Sequence, residues 1–158
     1  MAEILTAKEE ERKFPMKQVS HLLDHKGRDV WSVTPDATVY EAIDQMAQKG
    51  VGALLVMEGD RLVGIVSERD YARKVILKGK SSRETPVREI MSYPVICARP
   101  ELTVEETMAL MTDKRVRHLP VVVEERVVGV ISIGDVVRGV IDDKEFHIQQ
   151  LTSYITGR

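Results

Sequence analysis

Cysteine is almost missing from this chain of 158 residues, and the other scarcities narrow its chemistry further. The single cysteine, Cys97, excludes an intramolecular disulfide and a cysteine-based metal cluster, which points to a reducing cytoplasm. Aromatic residues make up 4% of the chain, too few for a stacking platform on single-stranded nucleic acid. Charge of one sign is scarce too: a net charge of −2 gives no broad attraction to nucleic acid or to an anionic membrane. No apolar run approaches the roughly 20 residues that span a bilayer. Lys8 to Lys13 is charged where a signal peptide would be apolar. A P-loop, a G-x-G-x-x-G turn and a nucleophile elbow are all missing, so nothing reads as an active site.

What remains is an ordinary globular balance, 43% hydrophobic and 30% charged, on a chain long enough for two intimately packed halves. Those halves are copies. Gly64-Ile65-Val66-Ser67-Glu68-Arg69-Asp70 returns as Gly129-Val130-Ile131-Ser132-Ile133-Gly134-Asp135. The register holds through Pro35/Pro100, Thr38/Thr103, Met46/Met111, Arg61/Arg126, Arg73/Arg138 and Val75/Val140. A chain that repeats a supersecondary unit stacks its copies, because one copy alone cannot bury its apolar face.

Each copy has the same order. A short apolar helical stripe leads it (Val19, Leu22, Leu23; Val87, Ile90, Met91 after Pro86), followed by a strand at 30–33 or 95–98 that ends near a proline. Thr38 with Glu41, and Thr103 with Glu106, fit the capping box that starts a helix. Strands at 53–57 and 61–66, and at 118–123 and 126–131, are joined by tight polar turns, and a second helix opens at Ser67 or Ser132. The predicted fold is α/β (α+β), with two β-α-β-β-α repeats packed about a pseudo-twofold axis. Its parts are an N-terminal extension (1–15), a first repeat (16–80), a second repeat (81–142) and a C-terminal helix (143–158) with Phe146, Ile148, Leu151, Tyr154 and Ile155 on it.

The chemistry concentrates at Ser67-x-x-Asp70 and Ser132-x-x-Asp135. A single such motif is a helix cap, with Ser accepting from first-turn amides and Asp favouring the positive end of the dipole. Here it occurs twice in register, at a strand-to-helix turn whose amides can hold an anion, with Gly64 or Gly129 three residues before it. An aspartate so placed can accept both hydroxyls of a ribose. Arg117 and His118 open a strand in the second copy, where the first has Gly52 and Ala53; Arg69 answers them in the first copy, where the second has Gly134. Cations from both copies suit phosphate. Arg115 reads as part of a solvated turn. His21 and His25 have helical spacing but lack further ligands for a metal, and Cys97 reads as a small core residue.

At these residues the sequence resembles the tandem CBS-domain (Bateman) module, in its stand-alone bacterial form. The resemblance is carried by the paired G-h-x-S-x-x-D segments, the V-x-P-x-x-T-V stretches around Pro35 and Pro100, and Val116-Arg117-His118-Leu119-Pro120-Val121. It implies two clefts for adenosine-containing ligands. Asp70, Asp135, Ser67 and Ser132 would hold ribose, and Arg117, His118 and Arg69 phosphate. The adenine slots would be lined by Val33, Thr34, Gly52, Ala53, Cys97, Ala98, Leu119 and Pro120. The implied function is a non-enzymatic regulatory sensor that signals to a partner protein, with AMP favoured over ADP, ATP or NAD(H) and no metal. The alternative is a constitutive dimerisation module with vestigial clefts. The resemblance also implies a homodimer formed through helices at 67–79 and 132–141, using Val75, Ile76, Val136, Val137, Val140 and Ile141.

Overall fold

Thr38 and Thr103 do start helices: each side chain accepts from the amide three residues on, and Glu41 reaches back to the Thr38 amide at 3.1 Å. In the computed structural model the described residues are 17–156, so the expected extension at 1–15 lies outside them. The elements are α1 (Val19–Lys26), β1 (Ser32–Val33), α2 (Val39–Lys49), β2 (Ala53–Glu58), β3 (Arg61–Ser67) and α3 (Glu68–Tyr71). They continue with α4 (Val104–Lys114), β4 (His118–Val123), β5 (Arg126–Ser132) and α5 (Ile133–Thr156). A π-helical turn, Ala72–Ile76, prolongs α3, and a 3-10 turn, Val87–Glu89, precedes the second repeat.

Two units form. Among the described residues, one holds 29–97 with 122–129; the other holds 17–28, 98–121 and 130–156. The segment that leads each repeat therefore belongs to the unit built on the other repeat. In the first unit, β1 pairs parallel to β2 and β2 antiparallel to β3, giving the order β1-β2-β3. Its core joins α2 (Val39, Ala42, Met46) to the sheet (Leu54, Val56, Val66) and to Val75, Val87 and Ile90. The segment 85–88 is pinned there by backbone bonds: Val39 N–H to the Thr85 carbonyl, and Val87 N–H to that of Ala37. The other unit repeats the device with the start of the chain. Val19 N–H bonds the Leu102 carbonyl, Val104 N–H bonds that of Lys17, and the Lys17 amide donates to the buried Asp143 carboxylate at 3.0 Å.

Two expectations need correction. The strand expected at 95–98 is reduced to a single parallel bridge, Ala98 to Val121, with Ala98 N–H donating to the Pro120 carbonyl at 2.9 Å. In the first repeat the matching residue, Leu55, gives its own N–H to Trp31 at 3.2 Å. Pro120 has no N–H to give, so the ladder stops after one rung. The helix expected at 143–158 is no separate element: α5 runs unbroken over 24 residues, because no proline or cap interrupts it.

Candidate functional site

The two Ser-x-x-Asp turns are built alike. Ser67 donates from N–H and Oγ to Asp70 Oδ2 at 2.9 and 3.0 Å, and Asp70 N–H returns a bond to Ser67 Oγ at 3.2 Å. Ser132 and Asp135 make the same three bonds at 2.8, 3.0 and 3.3 Å. The serine hydroxyl is thus committed inside the turn, and so is one carboxylate oxygen. The other oxygen, Oδ1, faces only a cation: Lys74 at 3.1 Å from Asp70, and Arg138 at 3.5 Å from Asp135. Both aspartate side chains are mostly buried, 14% and 13% exposed, which makes Oδ1 a sheltered acceptor for a ligand hydroxyl.

Around Asp135 the structure brings together Ser132, Arg117 and His118 within one unit. The Arg117 carbonyl accepts from the Ile133 amide at 2.8 Å, while the Arg117 side chain is exposed. Burial, reinforced by the nearby Lys26 charge, holds the half-buried His118 imidazole below the usual histidine value; Asp135 opposes this only in part. Burial alone would raise the Asp135 carboxyl. The hydrogen bonds from Lys26 and Ser132 outweigh it, and the carboxyl lies below its ordinary value.

The first-repeat residues gather around Ser67 in the other unit. The Gly52 carbonyl accepts from the Glu68 amide at 3.0 Å, Ala53 faces Ser67 across β2–β3, and Val33 faces Val56 across β1–β2. Arg69 and Thr34 are exposed. Ala98, Leu119 and Pro120 are buried in the second-repeat unit, with Ala98 and Pro120 joined by their one bond. Cys97 corrects an expectation: its side chain is exposed rather than core, with Sγ 3.7 Å from the Val95 carbonyl. The space beside Gly64 is also taken, since a Cβ there would lie 2.6 Å from Met91 Sδ.

Sequence reasoning missed Lys26. Its ammonium lies 2.6 Å from Asp135 Oδ2 and donates to the Val130 carbonyl at 2.9 Å. The signal was present in the repeat. Lys74, four residues after Asp70, has Gly139 as its counterpart after Asp135. Without a local lysine, the second motif takes its nearer cation from α1 and keeps Arg138 of its own helix at 3.5 Å. Among the described residues no group of three or more His, Cys, Asp or Glu could hold a metal ion, and no helix is long and apolar enough to cross a membrane.

Comparison with known proteins gives two matches to one family, the CBS domain, at residues 19–76 and 87–142. The mitochondrial CBS domain-containing protein CBSX3 of Arabidopsis thaliana is 42% identical over 161 residues, covering 96% of this chain and 78% of that protein. A protein of solved structure with CBS domains from Burkholderia ambifaria MC40-6 is 49% identical with a TM-score of 0.77, covering 80% of this chain and 96% of its own. The CBS pair of protein MJ0100, solved with 5'-methylthioadenosine and S-adenosyl-L-methionine, is 25% identical with a TM-score of 0.70, covering 78% and 95%.

Proposed function

This chain belongs to the CBS-domain family as a tandem pair, a class of regulatory modules, and from that premise we propose that it senses adenine nucleotides and signals to a partner protein without catalysing a reaction. One observation carries the reading: each motif aspartate keeps one sheltered oxygen that no N–H or hydroxyl of its own turn occupies. A vicinal diol is the ligand group that fits such an acceptor. The adenosine-derived ligands of the MJ0100 pair support the ligand class. On this reading Asp70 and Asp135 accept ribose hydroxyls, and Ser67 and Ser132 hold the carboxylates in place. Arg117 and His118, with Arg69 in the first repeat, meet phosphate. His118, held below the usual histidine value by burial and by Lys26, serves as an N–H donor to it. Val33, Thr34, Gly52 and Ala53 in one unit, and Ala98, Leu119 and Pro120 in the other, are the base contacts, with Cys97 at their margin. A nucleotide that prefers one arrangement of the protein shifts its population and so changes the surface offered to a partner. A cytoplasmic site of action is part of the same proposal.

The test is a melting series. AMP should raise the melting temperature, since a ligand of the folded state adds RT ln(1 + [L]/Kd), and GMP should raise it less. Arg117→Ala should lose more affinity for AMP than for adenosine. Equal shifts with AMP and GMP would remove base selectivity from the account. No shift with AMP, ADP, ATP, NAD or S-adenosylmethionine would favour the constitutive dimerisation module instead.

A further inference from the structure

α5 lies wholly within one unit and outruns it. Its buried residues are Val136, Gly139 and Asp143, and every described residue after His147 is exposed. The family match ends at residue 142, so this last part of the helix lies outside it. Its sequence nevertheless stays apolar along one line. Val137, Ile141, Lys144, Ile148, Leu151 and Ile155 follow one another at spacings of 4, 3, 4, 3 and 4. That is a heptad seam, with Ile141, Ile148 and Ile155 at one core position and Val137, Lys144 and Leu151 at the other. At about 100° per residue the seam lies about a quarter turn round the helix from the buried face, so folding of the unit does not consume it. Ile148, Leu151 and Ile155 are 62%, 48% and 80% exposed.

We propose that this seam pairs antiparallel with the same seam of a second copy of the chain, about a twofold axis level with Phe146. The stripe is complementary to itself in that direction. Ile141 meets the partner's Leu151, Lys144 the partner's Ile148 and Val137 the partner's Ile155, so each contact joins the two kinds of core position. Lys144 fixes the direction. A parallel pair would set it against the partner's Lys144, a like-charge contact. The antiparallel pair sets it against an isoleucine, where its stem covers apolar surface while its ammonium keeps Glu105, 3.2 Å away. A stretch as short as 148–156 is marginal as an isolated helix; here it grows from turns the unit already holds, and the second copy supplies its burial. The proposal is independent of the nucleotide reading, and it extends past residue 141, where the interface implied by the resemblance stops.

Sedimentation equilibrium and cysteine cross-linking test this on the whole chain. The wild type should be a dimer, and Ile148→Glu together with Leu151→Glu should raise its dissociation constant about a hundredfold. Both side chains are exposed in the single chain, so the variant can fold. For direction, Ile141→Cys and Leu151→Cys chains are prepared separately, each with Cys97→Ser. Mixed and oxidised, they should form an interchain disulfide, because the two positions face each other across the seam. Neither chain alone should do so, since like positions lie about 15 Å apart along the axis. A wild-type monomer, or a dimer unmoved by the two glutamates, overturns the seam and leaves the nucleotide reading standing. No disulfide in the mixture, or one between like chains, overturns the antiparallel pairing.

Discussion

Asp70 and Asp135 sit in the same turn with the same three bonds, yet their cations come from different places. Lys74 is four residues from Asp70 and legible on the sequence; Lys26 lies 109 positions from Asp135 and is not. Sequence spacing exposes helical neighbours, while a partner brought by tertiary packing leaves only a gap, here Gly139 where a lysine would stand. His118 was legible as a site residue, but its charge state was not, because that depends on burial and on Lys26. The folded protein binds a proton at His118 less readily than the unfolded chain does. Its contribution to stability is therefore full above the ordinary histidine value and falls away as pH drops below it, at most about 1.4 kcal/mol per pH unit. His118→Gln should accordingly lose less stability than the wild type between about pH 7 and about pH 5 in urea melts. Parallel losses in the two proteins would contradict the assigned shift.

At the scale of elements, the helix caps at Thr38 and Thr103 and the hairpin turns were readable because their signals are local. Glu106 accepts from the Thr103 hydroxyl rather than its amide, which leaves the second capping box half made. Two departures came from single residues. Pro120 ends the strand ladder at one rung, and Arg115 closes α4 in the left-handed region at φ 55°, where the first repeat has Gly50 at φ 66°. A side chain in that region carries a cost of roughly 1–2 kcal/mol that glycine avoids. Arg115→Gly should raise the urea midpoint, by an amount worth up to about 1 kcal/mol once the glycine's unfolded-state entropy is counted. A lowered midpoint would show Arg115 making a contact that outweighs its backbone cost. Gly139→Val should destabilise by about 1–3 kcal/mol, because the Leu22 and Val104 contacts on its Cα leave no room for a side chain. A neutral outcome in the same melts would mean that α1 can move off α5 freely.

The repeat itself, the family and the order of strands and helices, save the strand expected at 95–98 and the separate C-terminal helix, were readable from the sequence, since periodicity and paired motifs survive without coordinates. The exchange of leading segments was not: nothing local says that 17–28 belongs with the second repeat's elements and 81–97 with the first's. It is set by backbone bonds such as Val19 to Leu102 and Val87 to Ala37. The apolar set expected at a homodimer interface divides in the same way. Val75 and Val136 are consumed inside the chain, at 1% and 0% exposure, while Ile76, Val137 and Ile141 remain 55%, 39% and 50% exposed. On the expectation of a homodimer, those three exposed side chains are what remains of the set for its interface. Light scattering should give twice the 17.8 kDa chain mass, and Ile141→Glu should shift it toward one. A wild-type monomer at micromolar concentration would rule the dimer out.

The central claim is that a motif aspartate accepts the ribose of an adenine nucleotide, and a crystal structure grown with ATP tests it most directly. The account predicts ribose hydroxyls within hydrogen-bond distance of Asp135 Oδ1, Lys26 still on Oδ2, and the phosphates beside Arg117. A nucleotide bound with its ribose away from both Asp135 and Asp70 would contradict it.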